Sequence, residues 1–98
     1  MKSHRRPELE PLGKAVRLLR EQTDFSQERL AHAAELDRTF VGGIERGERN
    51  VSFLAITRLL MALETSWEEF GRIVDDVAAE LAAEVSKPKV KRRRRGLQ

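Results

Sequence analysis

Apolar residues recur along this chain at helical rather than alternating spacing. Leu12, Val16 and Leu19 fall at i, i+4 and i+7, with Ala15 and Leu18 widening the stripe. That pattern predicts a first helix from near Pro11 until Thr23-Asp24 ends it. Proline suits a first turn, because its missing N–H would have had no partner there. Ser26 is placed to cap a second helix, whose inward residues are Leu30, Ala31 and Ala34. Its alanines are small enough for a neighbouring helix to approach closely. Asp37 caps a third helix with Phe40, Val41 and Ile44 on its buried side, and Gly47 suits the left-handed residue that closes it. After Asn50-Val51, Ser52 caps a fourth helix with Ile56, Leu59, Leu60 and Leu63 facing inward.

Ser66-Trp67-Glu68-Glu69 is a capping box and the strongest helix-start signal in the chain. The fifth helix then meets no breaker until Pro88. Trp67, Phe70, Val74, Val77 and Leu81 alternate by three and four, beside Ile73 and Val85. Trp67 is expected to anchor this helix to the core. Beyond Val74 a globule this small offers little surface to cover the seam, so Val74, Val77 and Leu81 are expected to meet a second copy of the chain. The predicted architecture is all-α: a five-helix domain over residues 9–85, with residues 66–85 as an extended C-terminal dimerisation helix. A flexible basic arm is expected at 1–8 and a disordered basic tail at 86–98.

Composition narrows the class. At 98 residues the chain fits one domain with tails, and five aromatics favour aliphatic helices over a β-sandwich. Without cysteine there are no disulfides or thiolate metal sites. No run approaches the roughly 18 apolar residues of a membrane span, so a soluble, cytoplasmic protein with no membrane partner is expected. The net charge of +3 conceals an asymmetry. Residues 86–98 hold seven basic groups and no acid, which leaves twelve basic against sixteen acidic residues, a net of −4, before them. Residues 67–85 set Arg72 alone against six acids. Basicity belongs to the ends, and isoelectric point alone is weak evidence for nucleic acid.

Two short helices around a tight turn, the second exposing polar residues at its start, meet the requirements of a helix-turn-helix. The residues say more. Ser26-Gln27-Glu28-Arg29-Leu30-Ala31, Leu36-Asp37-Arg38-Thr39-Phe40-Val41 and Ile44-Glu45-Arg46-Gly47-Glu48-Arg49-Asn50-Val51 closely resemble the phage-repressor (Cro/repressor, XRE) helix-turn-helix family. The resemblance covers about residues 9–70 without a gap and implies a lambda-repressor-like domain. Within the family, Arg-Thr-Phe followed by Glu-Arg-Gly-Glu-Arg-Asn-Val-Ser looks most like the controller proteins of restriction–modification systems.

The resemblance implies roles for particular residues. Gln27, with Ser26, would meet a DNA phosphate at a helix N-terminus, which favours anions. Arg38 and Thr39 would touch bases, as an arginine fork fits guanine O6 and N7 and a threonine methyl fits that of thymine. Gly43 lies at a further base-contact position, and Gly42, Arg46, Arg49 and Asn50 at backbone or groove positions. Arg20 and Glu45 align with a partly buried ion pair joining the first and third helices. The glycine pair is the anomaly. Interior glycines cost roughly 1 kcal/mol each relative to alanine, and related proteins often carry a base-reading side chain at the second position.

No other chemistry assembles. His4 and His32 have no partners at metal spacing, the serines read as caps, and no phosphate-cradling glycine loop occurs. No enzyme, cofactor, metal or small-molecule substrate is expected. Together these features predict a homodimeric, sequence-specific regulator of transcription on palindromic double-stranded DNA, its basic tail adding phosphate contacts. The rival from another class is an antitoxin-like adaptor that binds a partner protein through the fifth helix and tail.

Overall fold

The computed structural model describes residues 5–85; the expected basic tail and residues 1–4 of the expected arm lie outside them. Five helices form, α1 (Glu10–Gln22), α2 (Gln27–Ala34), α3 (Arg38–Glu45), α4 (Phe53–Leu63) and α5 (Trp67–Val85), with no strand among the described residues. Their starts obey local chemistry. Ser26, Asp37, Ser52 and Ser66 each accept a hydrogen bond from a backbone N–H in the first turn that follows, all at 3.0 Å. Such caps satisfy donors that have no intrahelical carbonyl. Helix α2 ends on Glu35 in the left-handed region, and the next N–H, of Leu36, returns to the Ala31 carbonyl at 2.8 Å. That closure makes the tight turn into α3. Gly47, at φ 74°, provides the left-handed turn after α3.

The core gathers one face from each helix. Val16, Leu30, Val41, Ile44 and Leu59 are fully buried, joined by Leu19, Ile56, Leu60, Leu63 and Phe70. Helix α1 packs on α3 and α5, while α2 packs on α3 and α4. The α1–α3 approach is close because of Gly13: a methyl group there would collide with the carbonyl oxygen of Ile44 and come within 2.9 Å of that of Glu45.

Three expectations need correction. Residues 5–8 are not a free arm. A single 3-10 turn, Pro7–Leu9, precedes α1; the Arg6 N–H donates to the Gly47 carbonyl at 2.8 Å, and Arg5 pairs with Glu10 at 2.8 Å. Trp67 does not reach the core. It is half exposed and stands edge-on to Phe53, ring centroids 5.6 Å apart, while Phe70 one turn later enters the interior. The seam of α5 is also not left for a partner. Val77 is only 5% exposed, and Val74 packs against the core. Val77 and Leu81 share a groove with Lys14, Arg17, Leu18 and Glu21 of α1. The first helix lies along the fifth and covers Val77, while Leu81 stays half-buried in that groove.

The unpaired apolar surface is elsewhere, on α4. Phe53 is 79% exposed, Leu54 60% and Met61 73%, with Trp67 beside Phe53. Leu54 and Met61 are seven residues apart and therefore lie on one stripe of the helix.

Candidate nucleic-acid interface

Behind the two motif helices lies a polar lock. Glu45, at the end of α3, has a side chain 3% exposed and accepts three hydrogen bonds. Two come from the fork of Arg20, at 2.6 Å from Nε and 3.1 Å from Nη2; the third comes from Gln27 Nε2 at 2.9 Å. Arg20 also donates from Nη1 to the Phe25 carbonyl at 2.9 Å. Its guanidinium is held above an already high ordinary pKa, chiefly by the hydrogen bond to Glu45 and against the opposing effect of burial. A carboxylate that draws donors from α1 and α2 fixes three helices by charge-assisted bonds, the strong kind. No described buried side-chain polar atom lacks a partner.

The lock also settles the attitude of Gln27. With Nε2 turned to Glu45, its Oε1 faces α3 at Gly42, 3.4 Å from where a side-chain carbon would stand. The start of α2 is thereby held against the middle of α3. Ser26 caps that start, and the N–H groups of the first turn remain the positive end of the helix. An anion seated there would meet them directly.

The outer side of α3 begins with Arg38 and Thr39, both exposed in the first turn after the Asp37 cap. The Arg38 side chain makes no ion pair or hydrogen bond with any described residue, so its five donors are unclaimed. Gly42 and Gly43 follow, both buried, with arginine side chains lying over them. A carbon on Gly42 would be 3.1 Å from Nη1 of Arg46, and one on Gly43 would meet the stem of Arg49. Arg46 is partly neutralised by Glu48, Nε to Oε1 3.1 Å. Arg49 has no such partner among the described residues and stands over the Phe40 ring.

A helix-turn-helix domain model matches residues 11–72. Control protein C.SmaI of Serratia marcescens is 44% identical over 57 residues, spanning 58% of this chain and 68% of that one. Among solved structures, the restriction-modification controller protein C.AhdI from Aeromonas hydrophila matches at 43% identity and a TM-score of 0.64. That match covers 66% of this chain and 98% of the other. The chain belongs to this controller family. A further relative, C.Esp1396I, has been solved as a tetramer in complex with its natural 35 base-pair operator; it is 28% identical with a TM-score of 0.69, over 72% of this chain and 93% of that one.

In this controller the sequence-predicted residues divide into three groups. Ser26, Gln27, Gly42, Gly43, Arg38, Thr39, Arg46, Arg49 and Asn50 belong to the α2 start, to α3 or to the loop after it, while Arg20 and Glu45 form the lock as expected. Val74, Val77 and Leu81 do not form a free face. Sequence reasoning missed the Gln27–Glu45 bond, the Gly13 contact and the α4 stripe. Gly13 carried a usable signal, because a glycine inside a strongly periodic helix asks for a packing reason. Leu54 and Met61 also carried one, as apolar residues outside the inward face of their helix.

Proposed function

We propose that this controller is a sequence-specific DNA-binding regulator of transcription, working as a homodimer on an operator with two half-sites. The observation that carries the reading is the first turn of α3. Arg38 and Thr39 stand there exposed and uncommitted, on a helix fixed from behind by Glu45. In the major groove an arginine fork can engage guanine O6 and N7, and the threonine methyl can meet that of thymine. Gln27 and the start of α2 would hold a phosphate, setting register rather than sequence. The family consists of DNA-binding regulators, and we take the activity to be binding without catalysis, on DNA in the bacterial cytoplasm. No helix among the described residues is long and apolar enough to cross a membrane.

The self-association surface supported best is α4, not α5. Phe53, Leu54 and Met61 are large, apolar and mostly exposed. Burying each against a partner is worth about 1.5–3 kcal/mol. A two-fold interface would place two recognition helices on half-sites about 34 Å apart.

Selecting bound sequences from a random DNA pool should enrich a two-fold symmetric site. Arg38→Ala should then weaken the selected site by about 1–3 kcal/mol and leave random duplex almost unaffected. Absence of any enriched sequence, or equal losses on both duplexes, would reject Arg38 as a base reader.

A further inference from the structure

The groove between α1 and α5 is lined by charge as well as by apolar side chains. Leu18, 42% exposed, and the half-buried Leu81 form its open apolar part, beside the buried Val77. Glu80 and Glu84 stand on its α5 wall, and Asp76, four residues before Glu80, extends their stripe. All three acids are exposed, and none is in an ion pair among the described residues. Like charges at this spacing destabilise a helix, and acids near a helix C-terminus face the negative end of its dipole. The last turn of α5 has no basic residue to offset them. On the α1 wall, beside Lys14, Arg17 is already held by Glu21 at 3.0 Å. The flank that lacks cations is followed in sequence by seven of them, Lys87, Lys89, Lys91 and Arg92 to Arg95, with Val90 the one aliphatic residue among them.

We propose that this basic segment folds back on its own chain, with Val90 in the groove over Leu18 and Leu81 and the run from Lys91 to Arg95 paired with Asp76, Glu80 and Glu84. The reach permits it. Lys87 precedes Pro88, which disfavours helical backbone there. From Val85, five extended residues span about 17 Å and seven about 24 Å. The way back along the helix is about 6 Å to Leu81 and about 14 Å to Asp76. Each exposed pair is weak, but a tether this short sets a millimolar effective concentration. DNA phosphates then compete with three carboxylates of the same chain for the tail. The fold-back is a brake on binding to random duplex, which depends on charge alone. The docking stands without the DNA-reading function above; the brake rests on it.

The chain has no cysteine, so Gly96→Cys gives a single site for a nitroxide label with every basic group kept. In the isotope-labelled full chain at low salt, the nitroxide should broaden the amide signals of Arg17, Leu18 and Glu21. Combining Asp76→Asn, Glu80→Gln and Glu84→Gln should remove most of that broadening. Three outcomes overturn the fold-back: no broadening on α1, equal broadening in the triple variant, or broadening that arises only between separate chains in a mixed sample. Fluorescence anisotropy on a random duplex reads the brake. The triple variant should bind it about three-fold or more tighter than wild type, and the same substitutions in a chain ending at residue 86 should gain clearly less. An equal gain without the tail would mean that the acids act by repelling phosphate directly, and would overturn the brake. A wild-type chain that enriches no sequence would reject the regulator reading itself, while the broadening, measured without DNA, still decides the docking.

Discussion

Removing the Glu45 carboxylate should unfold this domain more readily than any comparable change on its surface. In Glu45→Ala the guanidinium of Arg20, whose side chain is 13% exposed, loses two of its three hydrogen bonds. It cannot escape by losing its proton, since arginine stays charged and this one is pushed higher still. Stranding one member of a buried pair costs about 3–5 kcal/mol. The bond from Nη1 to Phe25 survives and the guanidinium edge can find water, so the lower end applies, about 3 kcal/mol. Gln27 loses a bond at the rim of the lock, adding about 0.5–1 kcal/mol. For a domain of this size each kcal/mol lowers the melting temperature by about 4–8 °C, so a fall of well over 10 °C is expected. Thermal and urea unfolding followed by circular dichroism would measure it, at one fixed protein concentration because self-association shifts apparent stability. Arg20→Met combined with Glu45→Leu should recover most of the loss, since an apolar pair of similar volume often replaces a buried ion pair without harm. A loss below about 1 kcal/mol for Glu45→Ala, or a double variant as unstable as the single one, would refute the lock. Normal stability with abolished DNA binding would instead make Glu45 part of the interface.

Three further outcomes follow from the same structure. Gly13→Ala should destabilise by about 1–3 kcal/mol, because the new methyl group meets two backbone carbonyls of α3 and backbone yields less readily than a side-chain tip; a melting temperature at or above wild type would show that α1 and α3 can separate without loss. Leu54→Asp with Met61→Glu should shift the chain to monomer in sedimentation at micromolar concentration while its helicity persists, and Leu81→Asp should not; the reverse pattern would return the interface to α5. Deleting residues 87–98 removes seven basic groups and should flatten the dependence of log affinity on log salt by up to about 0.9 for each phosphate the tail neutralises, so an unchanged slope would show that the tail does not touch DNA.

Much of the fold is legible because its determinants are local. A serine or aspartate ahead of an apolar periodic run carries the chemistry of a cap, and Ser26, Asp37, Ser52 and Ser66 all act as caps. The Arg20–Glu45 pair spans 25 residues of sequence and leaves no local trace; only the family resemblance pointed to it. Period tells which residues are apolar but not what they meet, so the α5 seam was visible while its cover, α1, was not. Trp67 shares the three-and-four stripe of α5, which predicts a core anchor, yet at the first residue of the helix it stands half exposed against the Phe53 ring, and period does not show where the core stops. Residues 5–8 have no apolar period and so suggest a flexible arm, yet a backbone bond and an ion pair hold them, and neither writes an apolar pattern.

Moving the unpaired apolar surface from α5 to α4 changes what sets the operator spacing. Helix α4 packs on α2, and α2 on α3, so the proposed interface reaches the recognition helix through the motif itself. Any change in the α2–α4 packing, at Leu30 or Leu59 for example, would then alter the distance and angle between half-sites as well as stability. Helix α5 is left with a different influence. Six acids against Arg72 give it a net −5, on an element whose apolar face packs largely on α1. Such a surface repels phosphate over about 8 Å at physiological salt, which works against docking on DNA by that side and favours approach by α3. The basic segment that follows α5 in sequence is opposite in sign. Affinity therefore depends on where each charge lies around the molecule, and the net charge of +3 alone would give no basis for it.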